Sequence, residues 1–266
     1  MPTMNKFVFM LLCASGGVLA SSFPVTAETA KTPSSISVWE KVPVGPPDAI
    51  LGIAQAFRAC EDERKVNICV GAYRDETGNP WVLPSVRAAE EKMLAAKENK
   101  EYLPIDGDQA FVEKALKFAY GADAPLERIA AVQTLSGTGA CRIGGEFLAQ
   151  FYPGKPIYLP VPTWGNHHKI FADCGLDMQT YRYYDRSTNM LNLDGMLEDL
   201  ESAPEGSILL LHACSHNPTG LDPDDEQWDK LIELIRKKQH LVFFDSAYQG
   251  TQFRFGKRCV WMVYPQ

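Results

Sequence analysis

The sequence predicts an α/β fold with a mainly parallel sheet and helices on both of its faces, a three-layer α/β/α arrangement. Two observations predict the class. From residue 129 onward, short apolar, strand-like runs alternate with amphipathic stretches of helical spacing. The segments richest in Gly, Ser, Asn and Asp fall just after those runs, where such sheets bind ligands. The chain has 266 residues, 45% hydrophobic and 22% charged, which is ample for a buried core.

The elements follow in order. Residues 48–60 alternate apolar and polar positions at helical spacing after Pro46-Pro47. Residues 66–70 form a short strand-like run. Residues 84–97 read as a helix with proline at its start, and residues 109–120 as another, ended by Gly121. Then the alternation begins. Strands are expected over 129–135, 157–160, 178–184, 207–213 and 240–245. Helices are expected over 136–151, 165–174, 191–202 and 224–238. No internal repeat or heptad run is present.

The N-terminus differs in kind. Residues 7–20 are almost wholly apolar, with Lys6 before them and small residues after. That length suits a signal-peptide core better than a membrane span. Cleavage is expected after Ala20 or Ala27. The Ser/Thr/Pro-rich stretch over 21–37 reads as a disordered leader or a second targeting segment. Ala20-Ser21-Ser22-Phe23-Pro24 resembles the signal–transit junction of some algal plastid proteins, and an ordinary secretory signal stands beside that reading. An organelle, plastid or mitochondrion, is the favoured location, with no membrane association after leader removal.

Net charge is −7 with no long basic run, which disfavours a nucleic-acid partner. The seven cysteines (Cys13, Cys60, Cys69, Cys141, Cys174, Cys214 and Cys259) form no CxxC pair and are expected as buried free thiols.

Four segments carry possible chemistry. Ser136-Gly137-Thr138-Gly139 lies between a strand and a helix. It suits a phosphate, through backbone N–H groups, hydroxyls and the helix dipole, and equally a plain helix cap. In His212-Ala213-Cys214-Ser215-His216-Asn217-Pro218-Thr219-Gly220 the two histidines are four apart but on a strand end and loop, so helical zinc spacing does not apply and no metal is expected. A tight turn with a satisfied histidine is the plain reading. Asp245 ends an apolar run, where a carboxylate needs a positive partner or caps a helix; Tyr248 follows three residues on. Trp164, in Pro162-Thr163-Trp164-Gly165-Asn166-His167, stacks on a flat ring or belongs to the core.

Together with Val70-Gly71-Ala72-Tyr73-Arg74-Asp75-Glu76-Thr77-Gly78, Glu101-Tyr102-Leu103-Pro104-Ile105 and Tyr181-Arg182-Tyr183-Tyr184-Asp185, these segments occur in the order seen in aspartate aminotransferases, which the chain resembles over residues 38–250. The resemblance implies the large domain of the fold-type-I pyridoxal 5′-phosphate (PLP) transferases, incomplete at the C-terminus. It implies a leader over 1–35, an N-terminal arm and part of a small domain over 36–75, a PLP-binding domain over 76–250 and a divergent tail over 251–266.

By resemblance, Ser136, Gly137 and Thr138 hold the PLP phosphate, and Trp164 stacks on the pyridine ring. Asp245 pairs with the ring N–H, His167 orients Asp245, and Asn217 and Tyr248 bond the ring's 3-oxygen. Gly71, Trp164 and Asn217 face the substrate. Tyr102 reaches the phosphate of a neighbouring subunit in a homodimer.

The activity implied is transfer of the amino group of L-aspartate or L-glutamate to a 2-oxo acid. The family's Schiff-base lysine, in a Ser-x-Ser-Lys segment, has no counterpart here. Lys257 follows Asp245 too closely, and the arginines that clamp substrate carboxylates are also missing. The chain as written is therefore expected to lack catalysis and to be poorly stable, its 129–135 strand without neighbours. A non-catalytic truncated paralogue or isoform, binding PLP or a full-length subunit, is the alternative.

Overall fold

The computed structural model describes residues 41–43, 49–67, 71, 74–121 and 126–250. The expected leader over 1–35 and the tail over 251–266 lie outside the described residues. The chain divides into two compact units, Met1–Glu98 and Asn99–Gln266.

The first unit holds α1 (Ala49–Ala59) and α2 (Pro84–Ala96). Between them a tight turn is tied by Asp75, whose Oδ1 accepts from the backbone N–H of Thr77 at 3.0 Å and of Asn79 at 2.9 Å. Helix α2 has proline in its first turn and ends at Lys97, whose φ of 48° is left-handed. Residues 66 and 67 form no strand, and 68–70 lie outside the described residues.

In the second unit, α3 (Gln109–Tyr120) starts where the Asp108 carboxylate accepts from the N–H of Phe111 at 2.8 Å. It stops at Gly121, whose φ of 89° suits glycine. The strand expected over 129–135 does not form. A strand needs a neighbour to take its hydrogen bonds, and none of the described strands pairs with this segment. One of its N–H groups, that of Gln133, instead donates to the carbonyl of Asp106 at 3.0 Å.

The other expected elements form within a few residues of their predicted ends. They are α4 (Ser136–Phe151), β1 (Ile157–Val161), α5 (Asn166–Asp173) and β2 (Met178–Arg182). The run expected to extend β2 to Tyr184 breaks instead, and Tyr184–Asp185 (β3) pairs antiparallel with Met190–Leu191 (β4). Then come α6 (Leu193–Ser202), β5 (Ile208–His212), α7 (Asp225–Lys237) and β6 (Leu241–Asp245). No helix among the described residues is long and apolar enough to cross a membrane.

Four strands form one parallel sheet in the order β2-β1-β5-β6. Its central strand β5 is buried along its whole length, and side-chain alternation divides its residues between two cores. Ile208 and Leu210 pack with Cys141 and Leu148 of α4 and Ile170 and Phe171 of α5. Leu209 and Leu211 pack with Met196 and Leu200 of α6 and Trp228, Leu231 and Ile235 of α7. The three-layer α/β/α arrangement expected from the sequence is thus observed.

Helix α4 approaches the sheet on glycine. A Cβ added at Gly144 would lie 2.5 Å from the Phe243 ring, and one at Gly145 would lie 2.7 Å from Cys174 Sγ. On the opposite face, α7 is anchored by a capping box in which Asp224 and Gln227 satisfy each other's backbone N–H groups.

The chain runs from β1 outward to β2, then returns past β1 to β5. That reversal leaves a crevice beyond the carboxyl ends of β1 and β5.

Candidate functional site

The crevice is a cavity of about 560 Å³, within the range of small-molecule sites. Ser136, Gly137, Thr138, Trp164, Asn217, Asp245 and Tyr248 line it together. Seven expected site residues, from four segments of the chain, thus share one cavity. Of the other expected residues, Tyr102 is 99% exposed, and Gly71 is an exposed residue of the first unit.

Ser136, Gly137 and Thr138 form the first turn of α4. No side chain caps that helix, and its first turn holds no acidic residue. The leading N–H groups and the positive end of a 16-residue helix therefore face the cavity's edge without an internal anion. Of the two sequence readings, the self-contained helix cap is the one this geometry disfavours. Gly137 has open space where a Cβ would stand, and Ser136 adopts a left-handed φ of 61°.

At the carboxyl end of β6, Asp245 Oδ2 lies 2.8 Å from His167 Nε2. No helix follows Asp245 among the described residues. Burial raises the Asp245 pKa, but the His167 hydrogen bond and the nearby imidazoles of His167 and His212 outweigh it and hold the carboxyl below its usual value. Its other oxygen has no hydrogen bond among the described residues, leaving an acceptor for a ligand.

Behind Asp245 runs a directed chain of hydrogen bonds. The backbone N–H of Asn217 donates to His212 Nδ1 at 3.3 Å. Burial, with help from neighbouring His167, pushes the His212 pKa down to about 4, so the ring is neutral and its proton sits on Nε2. His212 Nε2 lies 3.0 Å from Thr163 Oγ1, to which it donates. The Thr163 hydroxyl donates in turn to His167 Nδ1, at 2.9 Å. His167 then presents Nε2–H to Asp245. The backbone of the Asn217 turn thereby sets the tautomer of the imidazole that holds the carboxylate. His212 is the satisfied histidine that the sequence suggested, and it also serves this chain.

Trp164 packs edge-on to His167, with ring centroids 5.1 Å apart, is partly buried against the core, and also lines the cavity. Asn217 Nδ2 and Tyr248 Oη approach within 3.5 Å, bringing the two polar groups to one side of the cavity. His216 stacks on Tyr183 with centroids 3.8 Å apart. Burial and the neighbouring His212 ring push its pKa down to about 3.

Sequence reasoning missed two residues. Thr163 lies within a segment it quoted, but its relay position is visible only once β1 and β5 stand side by side. Cys141 belongs to the buried stripe of α4 with Gly145 and Leu148 and also lines the cavity. Burial, with the nearby Asp245 charge, raises its thiol to about 11. Cys174 and Cys214 are likewise buried thiols outside any disulfide, whereas Cys60 is exposed, contrary to expectation. Cys13, Cys69 and Cys259 lie outside the described residues.

The site thus offers anion-binding N–H groups at one wall, an indole at another and a fixed carboxylate acceptor at its base. Comparison with known proteins identifies the family. The model of the family "aminotransferase class I and II" matches residues 63–262, past the Gly250 at which the resemblance in the sequence ends. A mitochondrial aspartate aminotransferase of Schizosaccharomyces pombe is 51% identical over 215 residues, covering 80% of this chain and 49% of the relative.

Among solved structures, the cytoplasmic aspartate aminotransferase of Saccharomyces cerevisiae has a TM-score of 0.76 at 44% identity, covering 81% of this chain and 53% of that one. An aromatic-amino-acid aminotransferase of Burkholderia pseudomallei, covalently bound to pyridoxal phosphate, has a TM-score of 0.77 at 39% identity, covering 84% and 56%. The chain spans about half the length of these relatives. With 200 matched positions and a shared fold, it belongs to the class I and II aminotransferase family.

Proposed function

We propose that this chain forms the cofactor-binding part of a PLP-dependent transaminase that moves the amino group of L-aspartate or L-glutamate to a 2-oxo acid. The carrying observation is Asp245, held by His167 at the base of a cavity that also takes in the uncapped start of α4. These residues fit the cofactor, which has an anionic phosphate, a flat ring and a ring nitrogen that can carry a proton. When bound, PLP supplies an electron sink for the negative charge left at the substrate's α-carbon.

In this reading the N–H groups of the Ser136–Thr138 turn hold the phosphate, and Trp164 covers one ring face. Asp245 accepts from the ring N–H and keeps that proton on the ring. Asn217 and Tyr248, already within 3.5 Å of each other, bond the ring's 3-oxygen. Gly71 faces the substrate, and the exposed Tyr102 is available to a second copy in a homodimer.

Transamination also needs a nucleophilic lysine, and no lysine lines the cavity among the described residues. The 266-residue polypeptide by itself holds the cofactor without turnover. An organellar location, mitochondrial above all, is supported by the mitochondrial relative and the apolar N-terminal run.

The test joins residues 1–250 to the matching second half of the Schizosaccharomyces pombe relative. A folded fusion that moves nitrogen from aspartate to 2-oxoglutarate, and loses this with Asp245→Ala, is the expected outcome. A folded fusion loaded with PLP but without turnover contradicts the proposal.

A further inference from the structure

Cys141, His167 and Asp245 converge at the base of the cavity, and one ligand atom from each lies within 4.8 Å of the others. They come from α4, α5 and β6, so tertiary packing alone brings them together. Cys141 is 4% exposed and His167 fully buried, while the Asp245 side chain is 18% exposed. The proposed function uses His167 and Asp245 but gives the thiol no task.

We propose that Cys141, His167 and Asp245 form a binding site for a thiophilic divalent cation such as zinc. The site shares residues with the proposed cofactor site but rests on none of that reading. One sulfur, one imidazole nitrogen and one carboxylate oxygen are the donors that borderline-soft zinc selects.

Zinc bonds of about 2.3 Å to sulfur and about 2.0–2.2 Å to nitrogen and oxygen place tetrahedral ligand atoms about 3.5 Å apart. Reaching that geometry takes a rotation of the thiol inward and an opening of the 2.8 Å His167–Asp245 contact by a few tenths of an ångström. On binding, the thiol releases its proton to solvent. The His167 proton moves from Nε2 to Nδ1, and the Thr163 hydroxyl, 2.9 Å away, rotates its own hydrogen off Nδ1 so that Oγ1 accepts a hydrogen bond from it. An outer hydrogen bond of that kind orients ligating imidazoles. The cavity, lined by Cys141 and Asp245, gives solvent access to the fourth position.

The test uses the purified 266-residue chain, free of cofactor and reduced, with cobalt(II) as the probe. One equivalent should give a thiolate-to-cobalt charge-transfer band and the visible bands of a tetrahedral ion, and zinc should displace both. Cys141→Ser should abolish the charge-transfer band, while Cys174→Ser, which removes a buried thiol outside the cluster, should keep it. Asp245→Asn should weaken cobalt binding at least tenfold. Circular dichroism establishes that each variant is folded. A folded wild type without the band, or a band that survives Cys141→Ser, overturns the inference. Because no pyridine ring takes part, failure here leaves the transaminase proposal standing, and the converse holds too.

Discussion

His167 Nε2 sits 2.8 Å from Asp245 Oδ2, and the imidazole is fully buried while the carboxylate keeps one side toward the cavity. The arrangement lets a protein hold a negative charge ready at the edge of its core. Burial alone would favour the neutral acid, and the histidine network reverses that preference.

His167→Phe removes the counterweight and leaves the burial. The Asp245 carboxyl should titrate at higher pH than in the wild type. As a carboxyl with a depressed folded pKa, it contributes stability above its unfolded pKa and loses it as pH falls through the folded value; the variant lacks that contribution. Carbon-13 NMR of the Asp245 side chain reads the titration directly. An unchanged midpoint would show that His167 only packs there.

The two glycine roles in α4 separate cleanly. Gly145→Ala forces a Cβ to within 2.7 Å of Cys174 Sγ and 3.1 Å of the Phe171 ring, and should cost about 1–3 kcal/mol of stability as overpacking. Gly137→Ala meets nothing within 4 Å, so the fold should be unharmed or slightly firmer. The added methyl group should still hinder an anion at the N–H groups, lowering phosphate-ligand affinity. Urea denaturation beside ligand titration distinguishes the two, and equal stability losses would contradict the packing account.

His216 makes the fold sensitive to acid. Its folded pKa, pushed to about 3 by burial, lies below the ordinary 6.5 of the unfolded chain. The unfolded state therefore binds more protons below pH 6.5, and stability should fall progressively from there toward pH 3. Above pH 7 the group contributes no slope. His216→Phe retains a ring against Tyr183 and should flatten part of the decline, measured as thermal midpoints from pH 7 to pH 4. Identical slopes in both proteins would remove His216 from the account.

Asp224→Ala should cost about 1 kcal/mol, because the α7 capping box loses one of its two reciprocal bonds. Chemical denaturation monitored at Trp228, which is buried on α7, reports it. A loss below a few tenths would show that packing alone fixes the helix.

Much of this was legible in the sequence because local and tertiary preferences agree. Strand β5 reads as Ile-Leu-Leu-Leu-His and is buried on both faces, so its apolar run could mean little else. Helix α7 combines a cap, an apolar stripe and basic residues in its last turn. The 129–135 segment has the same apolar look yet forms no strand, since pairing depends on neighbours that its own residues do not encode. Proximity was likewise invisible: Cys141 meets His167 and Asp245 across gaps in sequence that only the sheet order closes. Tyr102 and Gly71 come from resemblance alone, and both are exposed.

The central claim is that Asp245 is the acceptor for the ring nitrogen of a phosphorylated pyridine. Calorimetric titration of the chain with pyridoxamine 5′-phosphate tests it most directly, because that ligand has no aldehyde to react with surface lysines. Loss of a hydrogen bond to a charged group is worth about 1.5–3 kcal/mol, so Asp245→Ala should bind at least about tenfold more weakly than the wild type. Equal affinity in the two proteins, or no binding by a folded wild type, would contradict the account.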